Sequence, residues 1–414
     1  MQHLNKAMKK LHVMVKPVGA ACNLDCTYCY YLSKSDLLDY RGEFKMNYAS
    51  LEQFIKQYIQ AHNAPEILFT WQGGEPTLLG IDYFKKVVEL QQKYCPQGSV
   101  ILNDLQTNGV LLNDKWCQFL KENRFIVGLS IDGPKAIHDY YRVNKAGKGS
   151  FEQVYRSVLL LQKHQVPFAT LTCINNHSAQ YALEIYQFLR DVLQSPQIQF
   201  IPIVEHSSFT AESSTQALID VKVVGANAAT NVTSWSVSAQ QWGQFLCTVF
   251  DEWYENDIGK ENVIYFEAMF QIWLGMTSPI CTHAPLCGKG LAMELNGDVY
   301  SCDHFVYPDY KLGNINDHQL DEMAFSKKQE DFGRGKSTTL TPQCQRCDYL
   351  FACYGECPKN RIATDKAGNI GHNFLCQGWY MFYSYIDERL AKLIKSKGLS
   401  VSKGAYKAKL AKVR

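Results

Sequence analysis

Three cysteines spaced C-x3-C-x2-C, Cys22, Cys26 and Cys29, follow a short apolar run near the start of this 414-residue chain, and they limit what can be built around them. Three thiolates hold three irons of a 4Fe-4S cluster and leave the fourth iron open to a small molecule. S-adenosylmethionine suits that opening. Its amino and carboxylate groups chelate iron, and an electron from the cluster then breaks the adjacent S–C bond to give a 5′-deoxyadenosyl radical. A structural zinc site is the plainer alternative, but it wants four ligands, usually from paired C-x2-C units. No histidine or further cysteine lies nearby in sequence, and Tyr28 and Tyr30 around the last cysteine also suit the radical motif.

Downstream, strand and helix patterns alternate. Runs at 12–16, 66–71, 99–106, 125–131, 168–174 and 198–204 read as six strands. Helical apolar spacing at 50–61, 81–94, 114–122, 151–164 and 179–193 supplies five crossovers, with Asp114 as the expected cap of the third. This α/β order implies parallel pairing with right-handed connections. The sheet is expected to curve into a partial (β/α)6 barrel, short of the eight strands that close one. After Val204 the pattern stops, and residues 206–234, rich in Ser, Thr, Ala and Asn, read as a polar surface loop, with a lid over the open barrel as the alternative. The expected division is therefore a barrel domain at 1–235, an aromatic-rich helical connection at 236–275, a cysteine-rich domain at 276–385 and a basic, solvated tail at 386–414.

Parallel sheets place ligands at the carboxyl ends of their strands. After the second strand comes Gln72-Gly73-Gly74-Glu75-Pro76, whose glycines can let backbone approach a ligand and whose carbonyls can accept from an ammonium group. Gln106-Thr107-Asn108-Gly109 ends the third strand and Ser130-Ile131-Asp132-Gly133-Pro134 the fourth. Their hydroxyl and carboxylate can bind a ligand or set a turn. Arg142, in the following loop, can pair with a carboxylate, although a lone loop arginine is more often solvated.

Fifteen cysteines would suit a secreted disulfide framework. Residues 1–20 carry Lys6, Lys9 and Lys10 but no apolar signal core, and no stretch approaches a bilayer-spanning length, so a reduced cytoplasm is expected. The 42 basic and 40 acidic side chains nearly cancel, which leaves no global attraction to nucleic acid or to an acidic membrane. The thiols then serve metal. Cys281-x5-Cys287-x14-Cys302 is followed by Cys344-x2-Cys347-x5-Cys353-x3-Cys357 and by Cys376. Eight thiols make two four-ligand sites, and because they divide three and five, one of the later group must cross to the earlier. Zinc is again an alternative, but iron-sulfur clusters are favoured because one-electron chemistry upstream needs an electron sink. Between Met293 and Tyr300 an Asn296-Gly297 turn reads as a hairpin that holds Cys287 near Cys302. Cys95, Cys117, Cys173 and Cys247 read as small buried residues.

Taken together, residues 11–385 resemble the anaerobic sulfatase-maturating enzymes, radical S-adenosylmethionine proteins with a C-terminal SPASM domain. The resemblance is carried by VMVKP at 13–17, CNLDCTYCYY at 22–31, FTWQGGEPTLLG at 69–80, LQTNGVLL at 105–112, VGLSIDGP at 127–134, IQFIPIVE at 198–205, NGDVYSCDHFVYP at 296–308 and CDYLFACYGECPKNR at 347–361. It implies oxidation of a Ser or Cys in an unfolded Cys/Ser-x-Pro/Ala-x-Arg segment of a sulfatase to Cα-formylglycine, with a small redox protein as electron donor. It also implies three 4Fe-4S clusters and S-adenosylmethionine. Cys22, Cys26 and Cys29 would bind the radical cluster, while Tyr28, Gly74, Ser130, Arg142 and Val204 would contact S-adenosylmethionine. Cys281, Cys287, Cys302 and the crossing Cys357 would hold the first auxiliary cluster; Cys344, Cys347, Cys353 and Cys376 would hold the second. Asp303 matches the family's catalytic base. A SPASM maturase that forms a thioether in another peptide is the nearer rival, and a non-catalytic iron-sulfur electron carrier the more distant one.

Overall fold

The structure, a computed structural model, describes residues 11–401 except 39, 41–43, 63 and 214–231. Most of the polar stretch and the last part of the basic tail thus lie outside the described residues. The chain divides into two compact units that interleave along the sequence. The first runs through Ile131 and takes in His138–Ala169 and Gly288–Gly333; the second comprises Asp132–Ile137, Thr170–Cys287 and the chain from Arg334 onward.

The six expected strands form, as β1 (His12–Val15), β2 (Glu66–Trp71), β3 (Val100–Thr107), β4 (Phe125–Ser130), β5 (Phe168–Ile174) and β6 (Gln197–Pro202). Among the described residues six more follow: β7 (Asn262–Val263), β8 (Gly290–Met293), β9 (Asp298–Tyr300), β10 (Lys311–Asn314) and a separate antiparallel pair, β11 (Ala363–Thr364) and β12 (Ile370–His372). In the first unit the strand order is β10-β9-β8-β1-β2-β3-β4. β1 to β4 pair in parallel, with Met14 opposite Thr70, Glu66 opposite Val100 and Asn103 opposite Phe125. The Asn296-Gly297 hairpin joins β8 to β9 as expected, with Gly297 at φ +85°. Its β8 also pairs in parallel with β1, Val15 opposite Met293, so the hairpin extends the barrel sheet. Parallel pairing between segments about 280 residues apart leaves no local pattern to read.

The helix Tyr48–Ala61 buries Leu51, Phe54, Ile55 and Tyr58 against β2, where Phe54 meets Phe69 edge-on at 5.9 Å. Its cap is Asn47, whose side chain accepts from the Ser50 N–H. The third helix begins at Asp114 but is capped one residue earlier: Asn113 accepts from the Trp116 N–H, and Asp114 pairs with Lys163 at 2.6 Å instead. Asparagine and aspartate compete closely at such positions.

In the second unit β5, β6 and β7 run parallel, Thr170 opposite Ile198 and Gln197 opposite Asn262. The two-residue β7 interrupts the helical run expected at 240–274, dividing it into Ala239–Asn256 and Ile264–Trp273. The run at 179–193 likewise breaks into a 3-10 turn, a short α-helix and a π-helical end. Polar ends of the 206–234 stretch are tied together by a bridge between His206 and Val232. The basic tail is helical through Ser396, as part of the helix Cys376–Ser396.

That last helix packs on Ala239–Asn256 through glycines. A Cβ at Gly243 would stand 2.9 Å from Gly378 Cα, and one at Gly378 would stand 2.1 Å from the Ala239 carbonyl oxygen. Trp242 and Trp379 close the crossing at 5.5 Å. Because Cys376 opens this helix, the crossing also sets where its thiol lies. Gly378→Ala is expected to destabilise the second unit by about 1–3 kcal/mol through overpacking. Urea denaturation followed by tryptophan fluorescence checks this; an unchanged midpoint would remove the crossing as a constraint.

Candidate active site

Cys22, Cys26 and Cys29 lie half-buried in the loop after β1. Backbone pins this loop on two sides. On one, the Asp25 N–H donates to the Val143 carbonyl at 2.8 Å and the Thr27 N–H to the Tyr141 carbonyl at 3.1 Å. On the other, the N–H groups of Gly74 and Glu75 donate to the carbonyls of Gly19 at 2.7 Å and Ala21 at 2.9 Å. Gly74 has no room for a side chain, since a Cβ would stand 2.0 Å from the Ala21 carbonyl oxygen. The close approach that the Gly-Gly pair permits is therefore to the cysteine loop itself.

Glu75 completes this seat. Fully buried, its carboxylate accepts from the Thr77 N–H at 3.0 Å, the Thr107 hydroxyl at 2.7 Å and the Asn108 N–H at 2.7 Å. Burial pushes its carboxyl up and these donors oppose the rise. Asn108 passes the tie onward, donating to Asn23 at 2.8 Å and to the Cys22 sulfur at 3.7 Å. Burial pushes the Cys22 thiol up to about 11 against the Leu24 N–H and the Asn108 amide. Cys29 is likewise pushed up by burial, opposed by the N–H groups of Tyr31 and Leu32 and by the charges of Arg142 and Lys16. Both thiols keep their protons until metal binds, so cluster assembly must release them.

The other candidate residues are placed as follows. Arg142 is only 7% exposed, not solvated, with its guanidinium 5.5 Å from the centroid of the Tyr28 ring. Ser130 accepts from the Gln106 amide at 3.0 Å. Val204 belongs to the second unit, where Lys359 donates to its carbonyl at 2.5 Å and pairs with Glu205 at 2.6 Å. Asp132, also in that unit, is occupied by the Cys173 N–H at 2.9 Å.

Asp303 opens a short 3-10 turn whose cap residue is Cys302. One carboxylate oxygen accepts from the Tyr30 hydroxyl at 2.6 Å, and the other pairs with Lys16. Lys16 is 2% exposed and Asp303 13%. Burial alone would raise this carboxyl, but the charges of Lys16 and His304 and the bonds from Lys16 and Tyr30 outweigh it and hold it at about 2. A second acid lies close by. Glu294, fully buried, accepts from Tyr31 and from Tyr40, and burial pushes it up to about 7 against the pull of Lys16. One acid is thus kept ionised and its neighbour is brought close to neutral by different surroundings.

In the second unit Cys344, Cys347, Cys353 and Cys376 are mutual neighbours. Burial and then the charge of Cys376 push the Cys353 thiol up, with Cys344 and Cys347 adding; Cys376 reaches about 12 by burial and the charges of Cys344 and Cys347. Cys281, Cys287 and Cys357 gather instead around Lys336. Between Cys353 and Cys357 the residues Tyr354, Gly355 and Glu356 all have positive φ, +50°, +71° and +52°. This left-handed run turns the chain from one thiol group to the other. Cys302, the remaining cysteine of the later set, belongs to the first unit. Neighbouring thiols in groups of this kind suit clusters held by thiolate.

A family model for the radical SAM superfamily matches residues 17–189, and one for the SPASM iron-sulfur cluster-binding domain matches 287–348. The chain is 46% identical over 387 residues to a serine-type anaerobic sulfatase-maturating enzyme of Bacteroides thetaiotaomicron, covering 91% of this chain and 90% of that one. The chain belongs to the anaerobic sulfatase-maturating enzymes. A cysteine-type member from Clostridium perfringens is 31% identical over 92% of this chain and 98% of its own. The solved structure of anSMEcpe with bound AdoMet and the Kp18Cys peptide matches at TM-score 0.78 and 30% identity, covering 92% of this chain and 98% of that one. SuiB of Streptococcus suis bound to its precursor peptide, at 14% identity and TM-score 0.54, shares the fold alone. The fold is accordingly a partial radical SAM barrel followed by a SPASM iron-sulfur domain.

Sequence reasoning missed Lys16, Glu75, Glu294 and Lys336. Lys16, Glu75 and Glu294 are charged residues in apolar or turn segments and Lys336 is one of several charges in a polar helix, weak signals that become strong only with burial. For Lys16 the sign is clear: a carboxyl depressed in the fold gives stability that is present above its unfolded value and is lost as pH falls through about 2. Lys16→Met should raise the Asp303 carboxyl, bring an acid limb into the pH profile of turnover, and cost about 3–5 kcal/mol for the charge left behind. A profile identical to that of the native enzyme would remove Lys16 from the control of Asp303.

Proposed function

We propose that Asp303 is the base of a sulfatase-maturating reaction in which the target residue is serine. The enzyme is a radical S-adenosylmethionine oxidoreductase that converts Ser or Cys in a sulfatase polypeptide to Cα-formylglycine. Preference for serine is supported by the 46% identity to a serine-type relative against 31% to a cysteine-type one. The observation that carries the role of Asp303 is its pairing with Lys16 and the hydrogen bond it accepts from Tyr30, beside Cys302.

Three 4Fe-4S clusters and S-adenosylmethionine, when bound, supply the radical that takes a hydrogen atom from the target Cβ and the sink that takes one electron. Cys22, Cys26 and Cys29 would hold the radical cluster, with Tyr28, Gly74, Ser130, Arg142 and Val204 toward S-adenosylmethionine. Cys281, Cys287, Cys302 and Cys357 would hold the first auxiliary cluster, and Cys344, Cys347, Cys353 and Cys376 the second. The left-handed run before Cys357 supports its crossing role. Loss of the hydrogen atom makes the target hydroxyl more acidic, and departure of the electron would leave a protonated aldehyde, from which even a carboxylate as weakly basic as Asp303 can take the proton. Hydrogen atom, proton and electron together are the two hydrogens by which serine and formylglycine differ. A thioaldehyde from cysteine would still need hydrolysis.

All fifteen cysteines are free, and among the described residues no helix is long and apolar enough to cross a membrane. These facts support a reduced cytoplasm as the working compartment. A small redox protein would deliver the electron, and the substrate would be an unfolded Cys/Ser-x-Pro/Ala-x-Arg segment.

Anaerobic turnover with matched serine and cysteine peptides, read by mass, tests the reading; a cysteine peptide that loses two hydrogens and gains no oxygen would point to a crosslink instead. Reconstituted protein should carry about twelve irons, and replacing Cys22, Cys26 and Cys29 by alanine should leave about eight. Asp303→Asn should keep its iron and its cleavage of S-adenosylmethionine yet slow formylglycine formation by roughly 10²–10⁴-fold. Deuterium from the target Cβ should still reach 5′-deoxyadenosine. A variant with full iron and near-native formylglycine output would remove Asp303 from the mechanism.

A further inference from the structure

Lys336 lies near the end of the helix Lys327–Thr338 and is only 1% exposed. Its ammonium donates to the carbonyls of Cys281 and Thr282, each at 2.7 Å. Among the described residues no carboxylate forms an ion pair with it. Glu356, the acid that acts on it, is itself buried and bonded elsewhere, accepting from Asn360 at 3.0 Å and Asn373 at 2.7 Å. Lys336 has instead the sulfurs of Cys287, Cys357 and Cys281 around it.

Two carbonyl dipoles do not compensate a buried ammonium, which costs several kcal/mol unless an anion faces it. Four thiolates around an iron-sulfur core carry net negative charge, and more after the core accepts an electron. We infer that Lys336 is the buried countercharge of the first auxiliary cluster, a positioning residue that holds the Cys281 loop and raises that cluster's readiness to accept the electron leaving the substrate. The inference rests on Cys281, Cys287 and Cys357 serving one cluster. The electron is the one lost by the target residue after its hydrogen atom and proton have gone, and it reduces the cluster by one unit. Lys336 itself gains and loses nothing.

The test uses the full chain with Cys22, Cys26 and Cys29 replaced by alanine, so that only auxiliary clusters are observed, titrated with dithionite and followed by electron paramagnetic resonance. Lys336→Gln keeps a donor for the two carbonyls and removes the charge; Lys336→Arg keeps the charge. Gln should lower the equilibrium constant for reducing one cluster at least tenfold, which is about 59 mV for one electron, and leave the other unchanged. Arg should stay within about threefold of the parent. If Gln holds only about four irons while Arg holds about eight, charge is needed to retain the cluster and the inference stands. Unchanged reduction in the Gln variant overturns it, as does an Arg variant that shifts as far as Gln, or loss of the cluster from both. A parent that itself holds only about four irons would instead remove the cluster assignment, and the inference with it.

Discussion

Main-chain contact between residues 19–21 and the turn after β2 pins the cysteine loop, beside its backbone ties to Tyr141 and Val143 and the burial of Leu24 and Tyr28. Gly74 N–H to Gly19, Glu75 N–H to Ala21 and the absent side chain at Gly74 bring two stretches of main chain together. Main-chain amides aimed at carbonyls have no side-chain rotamers to lose, so the backbone that carries the thiols is set by the fold itself. Glu75 then fastens the same turn to the end of β3, and Asn108 returns the tie to Cys22. Carboxyl ends of adjacent parallel strands are thereby fixed against the loop that serves them.

Buried charge is the second theme, and its logic is the same at two places. Lys16 stands beside Asp303 and also acts on Glu294, and the acid that receives the ion pair stays ionised while burial pushes the other toward neutral against the pull of Lys16 and its tyrosine donors. Among the described residues Lys336 forms no such ion pair, and the charges of Cys287, Cys357 and Cys281 act on it ahead of that of Glu356. A buried lysine is expensive anywhere in a fold; Lys16 offsets that cost with the Asp303 carboxylate, and Lys34 lies over the Tyr307 ring.

Much was legible in the sequence because the signals were local. The C-x3-C-x2-C loop, β2 at Glu66–Trp71 and β5 at Phe168–Ile174 follow directly from spacing and alternation, and the Asn296-Gly297 turn follows from its chemistry. If the later cysteines form two four-ligand sites, their count requires one to cross between groups, because three and five must become four and four. What the residues alone determined was therefore the kind of chemistry and the order of its parts. Tertiary structure decided the rest, since it depends on which distant segments share a surface. The addition of β8 beside β1, the burial of Arg142, the break of the helical run at β7 and the pairing of Lys16 with Asp303 join positions far apart in the chain. No periodicity encodes such meetings; burial makes a charge consequential, and burial exists only once the chain has folded.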